Sequence, residues 1–275
     1  MEELTQLLDS NKIEQIKSET MALFPSQERD VQVMHHKVIG DKYKIIDSIG
    51  KGGMGSVFLC ENLFLKNNWA VKKVEIHKEN FDDGEIEALK KLHHENIPQI
   101  VDYYIMDNSL YIVQSYIRGY SMPEYVNGYS LSEDLIKKWM IQLGSVIDYL
   151  HSIKPSPILH LDIKPGNIIV TPNENIVLVD FGSSIINRKH WNNSKTYSMT
   201  YSAPEQILGK PVGSFSDIFS YGKVFDKLLD TAITEGCISE NFYRKYKDII
   251  KTTLPLNPEL REKNIKKVLN KIKEL

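Results

Sequence analysis

One short run, His160-Leu161-Asp162-Ile163-Lys164-Pro165-Gly166-Asn167, holds a dense group of chemistry-bearing side chains. The apolar run Ile168-Ile169-Val170 follows it directly. A second apolar run, Ile176-Val177-Leu178-Val179, leads into Asp180-Phe181-Gly182. Short aliphatic runs bounded by polar residues read as buried strands. Two carboxylates, Asp162 and Asp180, and one amide, Asn167, therefore stand beside short strands. Carboxylate and amide oxygens are hard ligands, suited to a divalent cation that carries phosphate.

Further toward the N-terminus, Tyr43–Ile49 and Ser56–Cys60 read as strands on either side of Gly50-Lys51-Gly52-Gly53-Met54-Gly55. The glycines have the spacing G-x-G-x-x-G. In a dinucleotide-binding fold such glycines open a helix, whereas here β-type residues flank them on both sides, so they cap a hairpin. That hairpin is either an ordinary glycine-rich turn or a cover for phosphates, with backbone N–H groups free to come close. Trp69–Val74 reads as a third strand, and its period of two sends Lys72 and Lys73 to opposite faces. Phe81-Asp82-Asp83-Gly84 leads into a helical run with Ile86, Leu89 and Leu92 on one side, ended by His94-Glu95-Asn96-Ile97-Pro98. Glu85 sits in the first turn, where an acidic residue also simply favours a helix N-terminus.

The elements that must position these groups divide in two. Ile100–Tyr104 and Leu110–Ser115 are further strands, joined by the turn-forming Asp107-Asn108-Ser109. Beyond Arg118-Gly119-Tyr120, a connector, the chain is mainly helical. Ser132 is a good N-cap, Leu131 and Ile136 have hydrophobic-staple spacing, and Leu135, Trp139, Leu143, Val146 and Leu150 repeat at the helical period. Lys154-Pro155-Ser156-Pro157 breaks that helix. A β-rich part followed by a helical part predicts an α+β architecture of two lobes with a cleft between them.

The whole chain has 275 residues, 25% charged and 41% hydrophobic, with a net charge of −2. That balance gives no reason to expect nucleic acid or an anionic membrane as partner. Cys60 and Cys237 are too few and too far apart for a disulfide framework or zinc ribbon. His35-His36 and His93-His94 lack further ligands at metal spacing and read as structural or solvated pairs. No apolar run is long enough to span a membrane, and the acidic start is no secretory signal, so a cytoplasmic location is expected. Residues 1–24 are weakly amphipathic, with Leu4, Leu7 and Leu8 at helical spacing, then Ile13 and Ile16, a break at Asp9-Ser10-Asn11 between them and Pro25 as a stop. They read as a helical extension packed on the main body, or as a docking or homodimerisation segment. Val31 and Val33 alternate as in a small edge strand.

Taken together, these motifs resemble the eukaryotic-type (Hanks-type) protein kinase family, over about Lys42 to Leu269 and in order. The resemblance implies a protein kinase-like bilobal fold, with an N-terminal helical extension over 1–40 and a kinase domain over 41–275, its lobes meeting near residue 116. It implies that Lys72, in Ala70-Val71-Lys72, binds phosphate and pairs with Glu85. It implies that Asp162 is the catalytic base, that Lys164 serves the γ-phosphate, and that Asn167 and Asp180 hold Mg²⁺, with Mn²⁺ as a substitute. ATP would lie against Gly50, Lys51, Gly52, Gly53, Met54, Gly55, Val57 and Ala70 and the hinge residues Gln114, Ser115, Tyr116 and Ile117. Ala203-Pro204-Glu205 would close the activation segment, Asp217 would brace the catalytic loop, and Arg261 would pair with Glu205. Lys164, two residues after the base, is the pattern of Ser/Thr kinases. The Gly-Gly-Met-Gly loop and Tyr201–Gln206 look most like bacterial members. Protein substrates and autophosphorylation follow from the same resemblance. A pseudokinase scaffold and a small-molecule kinase are the alternatives.

Two departures stand out from that pattern. Leu161 replaces the arginine that commonly precedes the base and clamps a phosphorylated activation loop. Leucine cannot do this, so activation is expected not to depend on loop phosphorylation in the usual way, although Arg188, Lys189 and Lys195 offer other phosphate partners. The second departure is the short stretch between Leu229 and Pro258, which predicts a reduced substrate-docking helix.

Overall fold

The computed structural model describes residues 37–52, 55–76, 84–186 and 198–275. Its first layer is a six-stranded antiparallel sheet. The strands are β1 (Val38–Ile39), β2 (Tyr43–Gly52), β3 (Gly55–Asn62), β4 (Asn68–Glu75), β5 (Ile100–Met106) and β6 (Ser109–Ser115), in the spatial order β1-β2-β3-β4-β6-β5. Helix α1 (Gly84–Leu89) lies between β4 and β5 in the chain. The β5–β6 turn has positive φ at both central residues, Asp107 (50°) and Asn108 (54°). This is the twist-compatible hairpin geometry that Asn and Asp tolerate best.

Each face of this sheet buries a different apolar set. Ile39, Tyr43, Ile45, Phe58, Cys60, Val71, Tyr111 and Val113 pack on one side. Leu110 and Ile112 belong to the other side, in a cluster that also holds Ile86, Ala88 and Leu89 of α1 and runs down into the second lobe. That lobe is built on α3 (Glu133–Ser152), the one-turn α4 (Pro204–Ile207), α5 (Ser214–Thr234), α6 (Glu240–Lys251) and α7 (Ile265–Glu274). The predicted capping of α3 is present: the Ser132 side chain accepts from Leu135 N at 3.2 Å, and Leu131 and Ile136 are both buried. Trp139 is fully buried and donates Nε1–H to Glu174 O at 3.0 Å, so its one polar atom is satisfied.

Several elements differ from the sequence reading. Helix α1 ends at Leu89, although Leu92 continues its apolar face. Lys91 N bonds Ala88 O and Leu92 N bonds Leu89 O, so the chain tightens into i→i+3 turns. The connector at Tyr120 contains β7 (Tyr120–Ser121), which joins β8 (Ile168–Val170) and β9 (Ile176–Leu178) in a small antiparallel sheet. Helix α2 (Met122–Gly128) follows at once. The edge strand expected at Val31/Val33 and the extension over residues 1–24 fall outside the described residues, while Val38–Ile39 form a short edge strand. Between α5 and Arg261 the only α-helix among the described residues is α6, in keeping with the short stretch there.

Candidate active site

Lys72 comes from the middle of β4, paired on one side with Val57 of β3 and on the other with Ile112 of β6. That central position fixes its direction: the side chain is buried and reaches two carboxylates. Its Nζ lies 2.8 and 2.7 Å from the Glu85 oxygens and 2.6 Å from Asp180 Oδ1. Lys73, its neighbour, is half-buried on the other face. Burial works against the Lys72 charge, but Glu85 and Asp180 overcome it and hold the ammonium above its ordinary pKa. Burial likewise disfavours the Asp180 carboxylate, and Lys72 outweighs this, keeping Asp180 ionised to lower pH than usual.

Asp180 stands just past β9, with φ of 63°. Phe181 after it is buried, its ring edge-on to His160 at 4.7 Å. His160 is fully buried, and burial pushes its imidazole toward the neutral form. The polar run before β8 is held from beneath by α5. Asp217 accepts from His160 N at 3.0 Å and from Leu161 N at 2.8 Å, and it meets His151 Nε2 at 2.9 Å. Gln206 Nε2 donates to Leu161 O at 2.8 Å. With its backbone fixed on both sides, the run presents Asp162 beside Lys164 and Asn167. Lys164 Nζ is 2.7 Å from Asp162 Oδ2. Asn167 Nδ2 donates to Asp162 O at 2.9 Å and to Oδ2 at 2.8 Å.

Lys72, Asn167 and Asp180 line a cavity of about 270 Å³ between the lobes, roofed by Gly50, Gly55 and Val57, backed by Ala70 and Gln114, and reaching Ser115; Glu85, Asp162 and Lys164 are not among its lining residues. Its lower wall includes Asn167 and Asp180. The two roof glycines differ in their reasons. At Gly55, φ is 131° and a Cβ would meet Lys73 O at 2.0 Å, so the strand itself demands glycine. At Gly50 a Cβ would make only ordinary contact with Val57, at 3.7 Å. The fold does not require glycine there, so its bareness serves the cavity.

The structure thus brings together Lys72, Glu85 and Asp180, and separately Asp162, Lys164 and Asn167. Of the expected nucleotide contacts, Gly53 and Met54 lie outside the described residues. Lys51 and Gly52 end β2, where Gly52 pairs with Gly55 as expected for a hairpin. Tyr116 and Ile117 sit half-buried just past β6 and are not among the residues lining the cavity. Ile49, Pro98, Gly166, Ile169 and Val179 line it too. For Ile169 the signal was present: between buried Ile168 and Val170, the strand period turns it to the opposite face. A larger groove, about 620 Å³, lies elsewhere, between His151, Leu159 and Lys263. It holds none of these six residues.

A divalent ion fits the donor set. Lys72 with Glu85 and Asp180 carries a net negative charge facing the cavity. Asn167 spends its Nδ2 on Asp162, which leaves the amide oxygen available to a cation. No group of three His, Cys, Asp or Glu suited to a metal occurs among the described residues. Phosphate oxygens and water would complete the shell, as is usual for Mg²⁺.

The chain belongs to the protein kinase domain family, which matches residues 43–274. It is 28% identical over 239 residues to the probable serine/threonine-protein kinase PknB of Lactococcus lactis, covering 82% of this chain and 37% of that protein. It is 33% identical over 206 residues to the serine/threonine-protein kinase PrkC of Bacillus subtilis, covering 70% and 31%. Rice serine/threonine-protein kinase Nek3 is 31% identical over 193 residues, covering 66% and 32%. The chain spans about a third of the length of these relatives. The family implies use of ATP and a divalent metal. Among the described residues no helix is long and apolar enough to cross a membrane.

Proposed function

We propose that this chain is a protein serine/threonine kinase that transfers the γ-phosphoryl group of ATP to protein hydroxyls. The observation that carries this reading is the bridge from Lys72 to both Glu85 and Asp180, at 2.6–2.8 Å, across the two lobes. In a kinase this is the arrangement that places the phosphate-binding lysine and the metal-binding carboxylate together. The assembled bridge favours this reading over a pseudokinase scaffold.

Lys72, oriented by Glu85, would hold the α- and β-phosphates. Asp162 would accept the proton of the substrate hydroxyl as its oxygen attacks the γ-phosphorus and the bond to the β-phosphate oxygen breaks. Lys164, already 2.7 Å from Asp162, would place positive charge beside the transferred group. Asn167 and Asp180 would hold the divalent ion, Mg²⁺ with Mn²⁺ as a substitute, which when bound neutralises phosphate charge. The glycine hairpin would cover the phosphates and exclude water. Lys164 and the Ser/Thr kinase relatives support Ser/Thr as acceptors. The relatives from Lactococcus and Bacillus, with the Gly-Gly-Met-Gly loop, support a bacterial style.

The test is transfer of radiolabelled phosphate from Mg²⁺-ATP to the chain itself and to casein. Asp162→Asn should lower turnover by about 10²–10⁴-fold, the usual share of general acid–base catalysis. Absence of transfer by the wild type, with ATP still bound, would leave the scaffold reading.

A further inference from the structure

Five asparagine or glutamine side chains are buried among the described residues: Asn62, Asn96, Gln114, Asn167 and Gln206. Four of them spend their amides inside the fold. Asn62 Oδ1 accepts from Phe64 N and Leu65 N, each at 3.0 Å. Asn96 Nδ2 donates to Ile176 O at 2.6 Å, and Asn167 Nδ2 donates to Asp162. Gln206 is fixed at both atoms, with Oε1 accepting from Ala203 N and Nε2 donating to Leu161 O. Gln114 differs. It is only 9% exposed, yet its carboxamide has no hydrogen-bond partner among the described residues. Its cross-strand neighbours Ala70 and Ile100 offer only apolar side chains. It ends the apolar, buried run Leu110-Tyr111-Ile112-Val113. A buried amide without a partner is costly, and the packing of β6 does not call for one.

Gln114 lines the cavity between the lobes. The strand period puts it on the same face of β6 as Ile112, and β4 sets Lys72 opposite Ile112 and Ala70 opposite Gln114. Gln114 therefore stands two residues, about 7 Å, further along the sheet than Lys72. Lys72, Asn167 and Asp180 mark the phosphate end of the cavity. The other end is bounded by aliphatic side chains from both lobes, Val57 and Ala70 from one, Ile169 and Val179 from the other. Such a slot suits a flat ring, and the small Ala70 methyl leaves room beside the amide. Of the lining side chains at that end only Gln114 and Ser115 are polar. The Ser115 hydroxyl is already engaged, accepting from Gln99 N at 3.2 Å and donating to Gln99 O at 3.5 Å. The Gln114 amide is thus the polar side chain left to read the edge of a bound base.

A carboxamide carries an acceptor oxygen and a donor nitrogen, and turning it about its last torsion exchanges them. The 6-amino group of adenine needs an acceptor, and the 6-oxo group of guanine needs a donor. With no partner in the fold to fix one orientation, Gln114 can offer either. We propose that the Gln114 side chain pairs with the 6-substituent of a bound purine nucleotide in both cases, so that the chain takes GTP as well as ATP as phosphoryl donor. The donor role rests on the kinase reading, but the pairing itself is read without activity. With GTP the acceptor oxygen bonds the γ-phosphorus, its proton passes to Asp162, the bond to the β-phosphate oxygen breaks, and GDP leaves.

The experiment measures binding first, by displacement of a fluorescent ADP derivative from the 1–275 chain with Mg²⁺ present. The competitors are ADP, GDP and the diphosphate of purine riboside, which lacks a 6-substituent. In the wild type, ADP and GDP should bind within about tenfold of each other. Each should bind about tenfold tighter than the purine riboside nucleotide, the usual worth of one hydrogen bond. In Gln114→Met, similar in size but without the amide, the purine riboside nucleotide should lose its deficit. Gln114→Leu should behave the same way, which guards against a local defect in one variant. A wild-type preference for ADP over GDP of more than about tenfold would overturn the proposal. So would ratios that both variants leave unchanged. Labelled γ-phosphate is then offered to casein from ATP and from GTP, and transfer from both is expected. Transfer from ATP alone, with GTP bound, would overturn the donor role. Transfer from neither would count against the kinase reading instead, while the binding ratios still decide the pairing.

Discussion

Two of the buried ion clusters among the described residues are built on opposite plans. Arg261 and Glu205 have side chains 0% and 2% exposed. Arg261 Nη1 and Nη2 reach the two Glu205 oxygens at 2.8 and 3.2 Å, and the guanidinium also donates to Phe215 O and Pro255 O. Ser216 Oγ donates to Glu205 Oε1 at 2.7 Å. One positive and one negative charge cancel, and a planar fork fills its partner's lone pairs. Lys72 is different: a compact ammonium shared by two carboxylates, one of which, Asp180, is 31% exposed toward the cleft. Its cluster keeps an excess negative charge and an open side. A closed, neutral pair locks the chain in place. An open, unbalanced one is suited to receive a cation and phosphates.

Removing the arginine should therefore show most in stability. Arg261→Met leaves Glu205 buried and unpaired, and should lower unfolding free energy by about 3–5 kcal/mol. A denaturant titration measures it, and turnover per folded molecule should remain. Lys72→Met should reverse the pattern. Turnover falls by about 10²–10³-fold, the usual loss for one transition-state charge partner, while the denaturant midpoint moves less than in Arg261→Met. Equal losses of stability in the two variants would erase the distinction between the clusters.

Their pH behaviour sharpens the same contrast. Asp180 is held below its ordinary pKa in the fold, so its contribution is present above the unfolded value of about 3.9. That contribution is lost as pH falls through the folded value. Lys72 is held above its ordinary pKa, so its contribution is complete below about 10.4 and is lost as pH rises through the folded value. The stability gap between wild type and Lys72→Met should narrow at both extremes. The gap for Arg261→Met should persist on the alkaline side, because a guanidinium does not lose its proton there. Unfolding curves of the three proteins across pH would reveal both trends.

What could be read in advance follows from how local each signal is. Helix α3 was legible because Leu135 to Leu150 repeat at one period and Ser132 caps it. The β5–β6 turn was legible because Asp and Asn tolerate positive φ. The bridge from Lys72 to Glu85 and Asp180 has no local signature at all; it came from family resemblance, since only the fold brings three segments together. Helix α2 was missed although Ser121-Met122-Pro123-Glu124 is a start signal. Glu124 Oε2 accepts from Ser121 N at 2.8 Å and from its Oγ at 2.7 Å, but the helix is too short to show a period. Ile169 was read with Ile168 and Val170 as one buried run, although the strand period turns it to the opposite face from both.

Leu161 gives the smallest expected effect and the most specific one. Its φ is 63°, and its backbone is held by Asp217 and Gln206. Its side chain, where the family commonly has arginine, is buried with Leu159, Ile185 and Val212. Ile185 lies just beyond Asp180-Phe181-Gly182, and its backbone pairs with Leu159 in both directions at 3.0 Å. Apolar packing plus this pairing thus hold the start of the segment after Asp180 without a phosphate. Unlike a phosphate clamp, this contact needs no prior modification to form. Of the loop hydroxyls Ser194, Thr196, Ser198 and Thr200, Thr196→Ala should accordingly leave turnover unchanged, with no lag, when ATP is added to dephosphorylated protein. Abolished turnover, with fold and ATP binding intact, would show that a phosphate at Thr196 is needed after all, held by some other cation such as Arg188, Lys189 or Lys195.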